Sequence, residues 1–404
     1  MIKQISGGVC AAKGFSANGI HCGIRKNKTK RDIALIYSDV KGTAAGVYTQ
    51  NLVKGAPLLV TKRHLADGYA QAMICNSGNA NTCNANGIEI AEETCAILAK
   101  TINVAPEDII VASTGVIGQP LNLEPIANGI PALAAGLGDH SHYACEGIMT
   151  TDTKPKEISF EFEVGGKVCH IGGIAKGSGM IHPNMATMLV FVTTDCNISS
   201  KMLQNALSED IKTSFNMISV DGDTSTNDMV TVIANGLAGN SEIDCCGADY
   251  DAFCEALHAV TSYLCRAIAA DGEGASKLLE CNVCGACDRE NAAIAAKSVI
   301  CSSLLKAAMF GADANWGRVL CAVGYSGADI DIGKVDVSFK SAKGEIEVCR
   351  QGSGVDFSEE KAKEILLEDE IEINISVGDG DGCATAWGCD LTYDYVKING
   401  DYRT

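Results

Sequence analysis

Residues 176–194, Lys-Gly-Ser-Gly-Met-Ile-His-Pro-Asn-Met-Ala-Thr-Met-Leu-Val-Phe-Val-Thr-Thr, carry a glycine-rich turn straight into a β-branched, apolar run. That junction sets Thr187 at the opening of a strand, next to backbone that glycine leaves pliant. A threonine hydroxyl is a poor nucleophile unless a base sits beside it. Cutting the chain just before the threonine supplies one, because it frees the residue's own α-amine. The stretch can thus be an ordinary strand start or a self-cleaving N-terminal-nucleophile site with its scissile bond at Ala186-Thr187, and periodicity alone favours the first.

A chain of 404 residues is long enough for a large buried core and predicts more than one domain or a two-part fold. Its net charge of −18 opposes binding to nucleic acid or an anionic membrane and suits an enzyme acting on small molecules. The exception is Arg25-Lys26-Asn27-Lys28-Thr29-Lys30-Arg31, which reads as a solvated loop ahead of a strand at 33–37. Glycine and lysine interrupt residues 1–15 where a signal peptide needs an apolar core, and no apolar run approaches about 18 residues. The expected location is the cytoplasm. Many of the 20 cysteines sit in apolar periodic runs, such as Cys95, Cys254, Cys265, Cys301 and Cys321, so they read as free thiols rather than a disulfide framework.

Patterning predicts strands at 33–37, 109–112, 158–164, 188–193, 229–233, 335–339, 371–377 and 389–396. Helices are expected at 88–101, 202–215, 252–270, 292–310 and 358–367. The alternation indicates an α/β or α+β protein with large sheets covered by helices, folded as one compact unit.

Three motifs point elsewhere and are set aside. Gly177-Ser178-Gly179 lacks the third glycine of a dinucleotide loop and the Gly-Lys-Ser/Thr ending of a phosphate loop. Cys281, Cys284 and Cys287 have a spacing that zinc or an iron-sulfur cluster could use, but no fourth ligand is near, so buried thiols are expected and no metal. Asp379-Gly380-Asp381-Gly382 has Ala384 and Asp390 where a calcium loop needs glycine and glutamate, and reads as a hairpin turn. His182, close to the junction, receives no catalytic role. Ser113-Thr114-Gly115 follows a strand and is most simply a strand-ending turn, although such a turn can also present a hydroxyl and an N–H to one oxyanion.

The junction, together with Asn76-Ser77-Gly78-Asn79-Ala80-Asn81, Ser113-Thr114-Gly115-Val116-Ile117-Gly118, Met149-Thr150-Thr151-Asp152-Thr153, Asp271-Gly272-Glu273-Gly274-Ala275, Asn315-Trp316-Gly317-Arg318 and the tail Ile398–Thr404, resembles the ArgJ family of arginine biosynthesis, the ornithine acetyltransferases. The resemblance implies a paired-sheet αββα-type sandwich of the N-terminal-nucleophile kind. It also implies self-cleavage into residues 1–186 and 187–404, which stay together and form a dimer of that two-chain unit. Thr187 would act as nucleophile and Thr114 and Gly115 as the oxyanion hole, while Thr153, Lys176, Glu273, Asn399 and Thr404 would meet substrate. Lys176 can supply charge, Glu273 can move a proton, and the rest can hydrogen-bond. The implied reaction carries acetyl from N-acetylornithine to glutamate without a cofactor, with acetyl-CoA as a further possible donor. The alternatives are a self-cleaving aminopeptidase of related fold and a protein holding metal through its cysteines.

Overall fold

The structure, a computed structural model, describes residues 2–182 and 188–401. Two compact units account for them, one built from residues up to 177, 188–215 and 224–264, the other from 178–182, 216–223 and 265–401. Each is organised around its own sheet, as expected for a mixed α/β chain.

In the first unit, eight strands follow the order Lys3–Ile5, Lys156–Val164, Lys167–Lys176, Leu189–Thr194, Met229–Ala234, Ile33–Tyr48, Tyr69–Asn76, Ile109–Ser113, and a ninth, Phe15–Ile20, pairs with Ile33–Tyr48. Two strands from beyond residue 187 therefore lie in the middle of a sheet whose flanks come from before it. Both faces are buried where the sequence is continuously apolar. Ile33, Leu35, Ile74, Ile109 and Val111 join one core with residues of the helices Ala56–His64, Gly87–Ile102 and Leu123–Ala135, while the intervening Ala34, Ile36, Met73, Cys75, Ile110 and Ala112 join the other. That period of two is the strand pleat. The strand expected at 33–37 continues to Tyr48, with a register shift between Tyr37 and Gly42 that absorbs the exposed polar residues between them.

In the second unit the order is Ser353–Gly354, Gly344–Arg350, Asp336–Ser341, Glu370–Ser376, Leu278–Ala286, Gly382–Cys389, Ile218–Ser219. This order corrects two expectations. The turn at 379–382 is not a hairpin, because Glu370–Ser376 and Gly382–Cys389 lie on opposite sides of Leu278–Ala286. A strand at 389–396 is also wrong. The strand ends at Cys389, and Thr392 accepts a hydrogen bond from the Asp394 N–H to cap a helix at Tyr393–Gly400, so capping outweighs the β-branched and aromatic content of that stretch. The helix expected at 292–310 breaks at Ser302, whose hydroxyl caps Ser303–Phe310. Among the described residues no single helix is long and apolar enough to cross a membrane.

Close backbone approach makes particular glycines irreplaceable. A Cβ on Gly19 would lie 1.9 Å from the Tyr143 carbonyl oxygen in the helix Ser141–Ile148, whereas one on Gly324 meets nothing. Gly19→Ala is expected to destabilise the protein by about 1–3 kcal/mol, and Gly324→Ala, at the end of the helix Trp316–Gly324, to be neutral or stabilising by up to about 1 kcal/mol. Urea unfolding midpoints of the two variants check the contrast.

Candidate functional site

The strands Tyr69–Asn76 and Ile109–Ser113 are parallel neighbours, so the loops after them leave the first unit's sheet at one edge. Those loops are the Asn76–Asn81 and Ser113–Gly118 segments. Asn76 binds them together: its Nδ2 donates to Ser113 Oγ at 2.6 Å, its Oδ1 accepts from the Gly78 and Asn79 N–H groups at 3.1 Å each, and its carbonyl accepts from the Thr114 N–H at 2.9 Å. Asn227 adds a clamp, donating to the Ala80 and Ser113 carbonyls at 2.6 and 2.8 Å and accepting from Thr82 Oγ1 at 2.6 Å. Gly115 sits at φ +127°, and a Cβ there would come within 2.9 Å of the Asn79 nitrogen. Among the described residues neither the Thr114 hydroxyl nor the Gly115 N–H has a hydrogen-bond partner. A turn held this firmly with two uncommitted donors can receive a developing oxyanion.

A second constellation in the same unit surrounds Asp152. This buried carboxylate accepts from Lys156 Nζ and the Gly177 N–H, both at 2.7 Å, and from the Thr150 N–H at 2.9 Å. Burial by itself would raise its pKa, but the Lys156 and Lys176 charges and these hydrogen bonds bring it down to about 2. The ionised carboxylate anchors the end of the strand Lys167–Lys176 beside Thr153, which is exposed. Asp152 belongs to one of the sequence motifs, yet nothing in its spacing marks it as the anchor. Asp228 also escapes sequence reading. Its Oδ2 is the one buried side-chain oxygen or nitrogen without a hydrogen bond among the described residues. Burial pushes its pKa well above the carboxylate range, with hydrogen bonds from Ser225 and the Lys176 charge opposing.

The second unit holds Glu273 and Asn399 together, with Asn399 Nδ2 donating to Glu273 Oε2 at 2.8 Å. The Glu273 N–H donates to the Ser178 carbonyl at 2.9 Å, and a Cβ on Gly179 would fall 2.3 Å from the Glu273 carboxyl carbon, so this turn demands glycine for packing. Asp221 accepts from the Met180 and Ile181 N–H groups at 2.6 and 2.8 Å and from the Tyr395 hydroxyl at 3.3 Å. His182 contacts Ser219 Oγ at 3.1 Å and Cys301 Sγ at 3.5 Å, and burial followed by the Lys297 charge lowers its pKa, which keeps it neutral. Ala186, Thr187 and Thr404 lie outside the described residues.

The sheet takes the cysteine motif apart. Cys281 is buried on one face of Leu278–Ala286, while Cys284 is exposed and pairs across the sheet with the exposed Cys383. The neighbouring Cys383 sulfur first, then partial burial, pushes the Cys284 thiol up to about 11. Cys287 lies beyond the strand and is exposed, which corrects the expectation that these thiols are buried. Among the described residues no three His, Cys, Asp or Glu side chains gather as metal ligands.

The model of the ArgJ family matches residues 16–404. The arginine biosynthesis bifunctional protein ArgJ of Symbiobacterium thermophilum is 51% identical, and that of Caldanaerobacter subterraneus subsp. tengcongensis 49%, each over 100% of both chains. A crystal structure of the Bacillus halodurans bifunctional protein ArgJ is 46% identical, with a TM-score of 0.50, over 52% of this chain and 97% of that one.

Two outcomes follow from the carboxyls. The stability contributed by Asp152, whose pKa is depressed, is present above its ordinary pKa of 3.8 and is lost as pH falls towards about 2. Asp152→Asn should cost about 2–3 kcal/mol at pH 7, and the gap from wild type should close between about pH 4 and 2 in urea titrations. Asp228 has the opposite sign, since the folded state holds its proton where the unfolded chain releases it. Asp228→Asn should therefore leave stability at pH 7 unchanged or raised.

Proposed function

The chain belongs to the ArgJ family of arginine biosynthesis, and from that premise we propose that it is an acetyltransferase that moves acetyl from N-acetylornithine to glutamate through Thr187. The observation that carries the reading is the pair of uncommitted donors at Thr114 and Gly115, held by Asn76 and Asn227 at one edge of the sheet.

In this reading the precursor cleaves itself between Ala186 and Thr187, and the new α-amine, titrating near about 8, takes the Thr187 hydroxyl proton. The hydroxyl oxygen attacks the acetyl carbonyl of N-acetylornithine. Thr114 and Gly115 donate to the oxyanion, the carbon–nitrogen bond breaks, and ornithine leaves with the proton. The glutamate amine then attacks the acetyl ester and restores the threonine. Lys176 offers charge to the α-carboxylate common to both amino acids. Glu273, oriented by the Asn399 amide, exchanges a proton with the substrate amine, and Thr153 and Thr404 complete the hydrogen bonding. The length of the Bacillus halodurans chain supports two chains: it is matched almost end to end by about half of this sequence, and residues 187–404 are just over half of it. The same reading includes a dimer of the two-chain unit, a cytoplasmic location and no metal or organic cofactor.

Denaturing mass analysis should show two chains, the second beginning at Thr187, with Thr187→Ala remaining one; a fully active, intact wild type would overturn the proposal. N-acetylornithine alone should add one acetyl mass to the chain beginning at Thr187, and rates at several fixed glutamate concentrations should give parallel double-reciprocal lines. Intersecting lines with no acetylated chain would mean direct transfer. Thr114→Ala should lower kcat about a hundredfold with little change in KM, and a change confined to KM would move Thr114 from oxyanion to ground-state binding. Steady release of acetate without glutamate would instead favour the hydrolase.

A further inference from the structure

Seven of the chain's 20 cysteines are exposed, and two of the seven, Cys284 and Cys383, are direct partners in the antiparallel pair formed by Leu278–Ala286 and Gly382–Cys389. Residues opposed in this way have Cα atoms about 4.5–5.5 Å apart, inside the span of about 4.4–6.8 Å over which a disulfide closes. Their Cβ atoms start about 4.5–5.5 Å apart and need to approach by roughly an ångström. The sulfurs are already neighbours, since Cys383 is the largest influence on the Cys284 thiol.

The backbone permits that approach. The register shifts immediately after Cys284, and Gly382 opens the partner strand one residue before Cys383. A bulge at a strand end breaks the ladder locally and increases its twist, so the two thiols are not clamped at a fixed separation.

Other cysteines lack this combination of contact and access. Cys169 and Cys196 also interact, but both are buried, away from a solvent oxidant. Cys281 is buried too, and Cys287 lies beyond the strand, where its sulfur accepts from Asn291 Nδ2 at 3.3 Å. Cys245 and Cys246 are consecutive, and Cα atoms about 3.8 Å apart fall short of the disulfide range.

We propose that Cys284 and Cys383 form an oxidative modification site, a dithiol that a low-molecular-weight disulfide converts into a cross-strand disulfide stapling the second unit. One protein thiolate attacks a sulfur of the small disulfide, forming a mixed disulfide and releasing one small thiol. The other protein thiol gives up its proton, attacks the protein sulfur of the mixed disulfide and expels the second small thiol. Two protein thiols are thereby oxidised and one disulfide is reduced to two thiols. The new bond joins residues 99 positions apart and encloses four of the unit's seven strands. A loop of that length is stabilised chiefly by removing conformations from the unfolded chain. The staple sits about 20 Å along the strand from Leu278, the end that follows Glu273, so it acts away from the Glu273–Asn399 pair.

Both cysteines lie beyond residue 187, so the test is indifferent to any cut there. Purified, reduced protein is equilibrated with glutathione buffers of rising oxidised-to-reduced ratio, the free thiols are alkylated and the peptides are mapped by mass. A linked Cys284–Cys383 peptide, lighter by two hydrogens than the free pair, should appear. In Cys284→Ser it should vanish and leave glutathione on Cys383. The ratio that half-oxidises the pair should be at least about tenfold lower in the folded protein than in urea-unfolded protein, and oxidation should raise the urea midpoint of the wild type but not that of Cys284→Ser. Absence of the linked peptide at full oxidation overturns the proposal, as does a half-oxidation ratio equally low in the unfolded chain. A linked peptide with an unchanged or lowered urea midpoint overturns the staple.

Discussion

Two loops leave the first unit's sheet together, and their backbone must find hydrogen bonds that the sheet no longer provides. Asparagine side chains provide them. Asn76 and Asn227 between them satisfy carbonyls and N–H groups of both the Asn76–Asn81 and Ser113–Gly118 segments, and Asn79 and Asn81 continue the network to Gln119 and Gly87. Because an amide carries both donors and an acceptor, one residue can brace two strands' ends without adding charge. Among the described residues the Thr114 hydroxyl and the Gly115 N–H stand outside this network, without a hydrogen-bond partner.

Charge is handled differently in the same unit. Asp152 is held ionised by Lys156, Lys176 and three hydrogen bonds, while Asp228 lacks that support and stays neutral. Two acids of the same kind are thus shifted in opposite directions, for reasons visible in their partners. Lys176 lies among the charges acting on both.

Much of this was legible from the residues. The strands at 109–112, 158–164 and 229–233 have apolar runs bounded by turns, and the structure places strands there with ends shifted by two residues or fewer. The motifs containing Thr114 and Glu273 were visible through their resemblance to the ArgJ family. Pairing between distant segments was not legible. Cys284 looks like a partner of Cys281 and Cys287 along the chain, yet its neighbour is Cys383, because strand register ignores sequence spacing. Asp228 was invisible for a related reason, since its burial depends on what packs over it. The helix at Tyr393–Gly400 turned on one capping hydroxyl, a local signal outweighed in the sequence by aromatic and β-branched neighbours.

The order of strands in the first sheet has a consequence for the timing of any cut at Ala186-Thr187. Leu189–Thr194 and Met229–Ala234 are hydrogen-bonded between Lys167–Lys176 on one side and Ile33–Tyr48 on the other. A chain severed as it left the ribosome would have to rebuild that sheet as a bimolecular encounter. A chain severed after folding keeps its two pieces threaded through one another, and neither can depart without unzipping the centre of the sheet. On this architecture a cut there, if made, would be compatible with a lasting two-piece assembly only after pairing of strands nearly two hundred residues apart has closed.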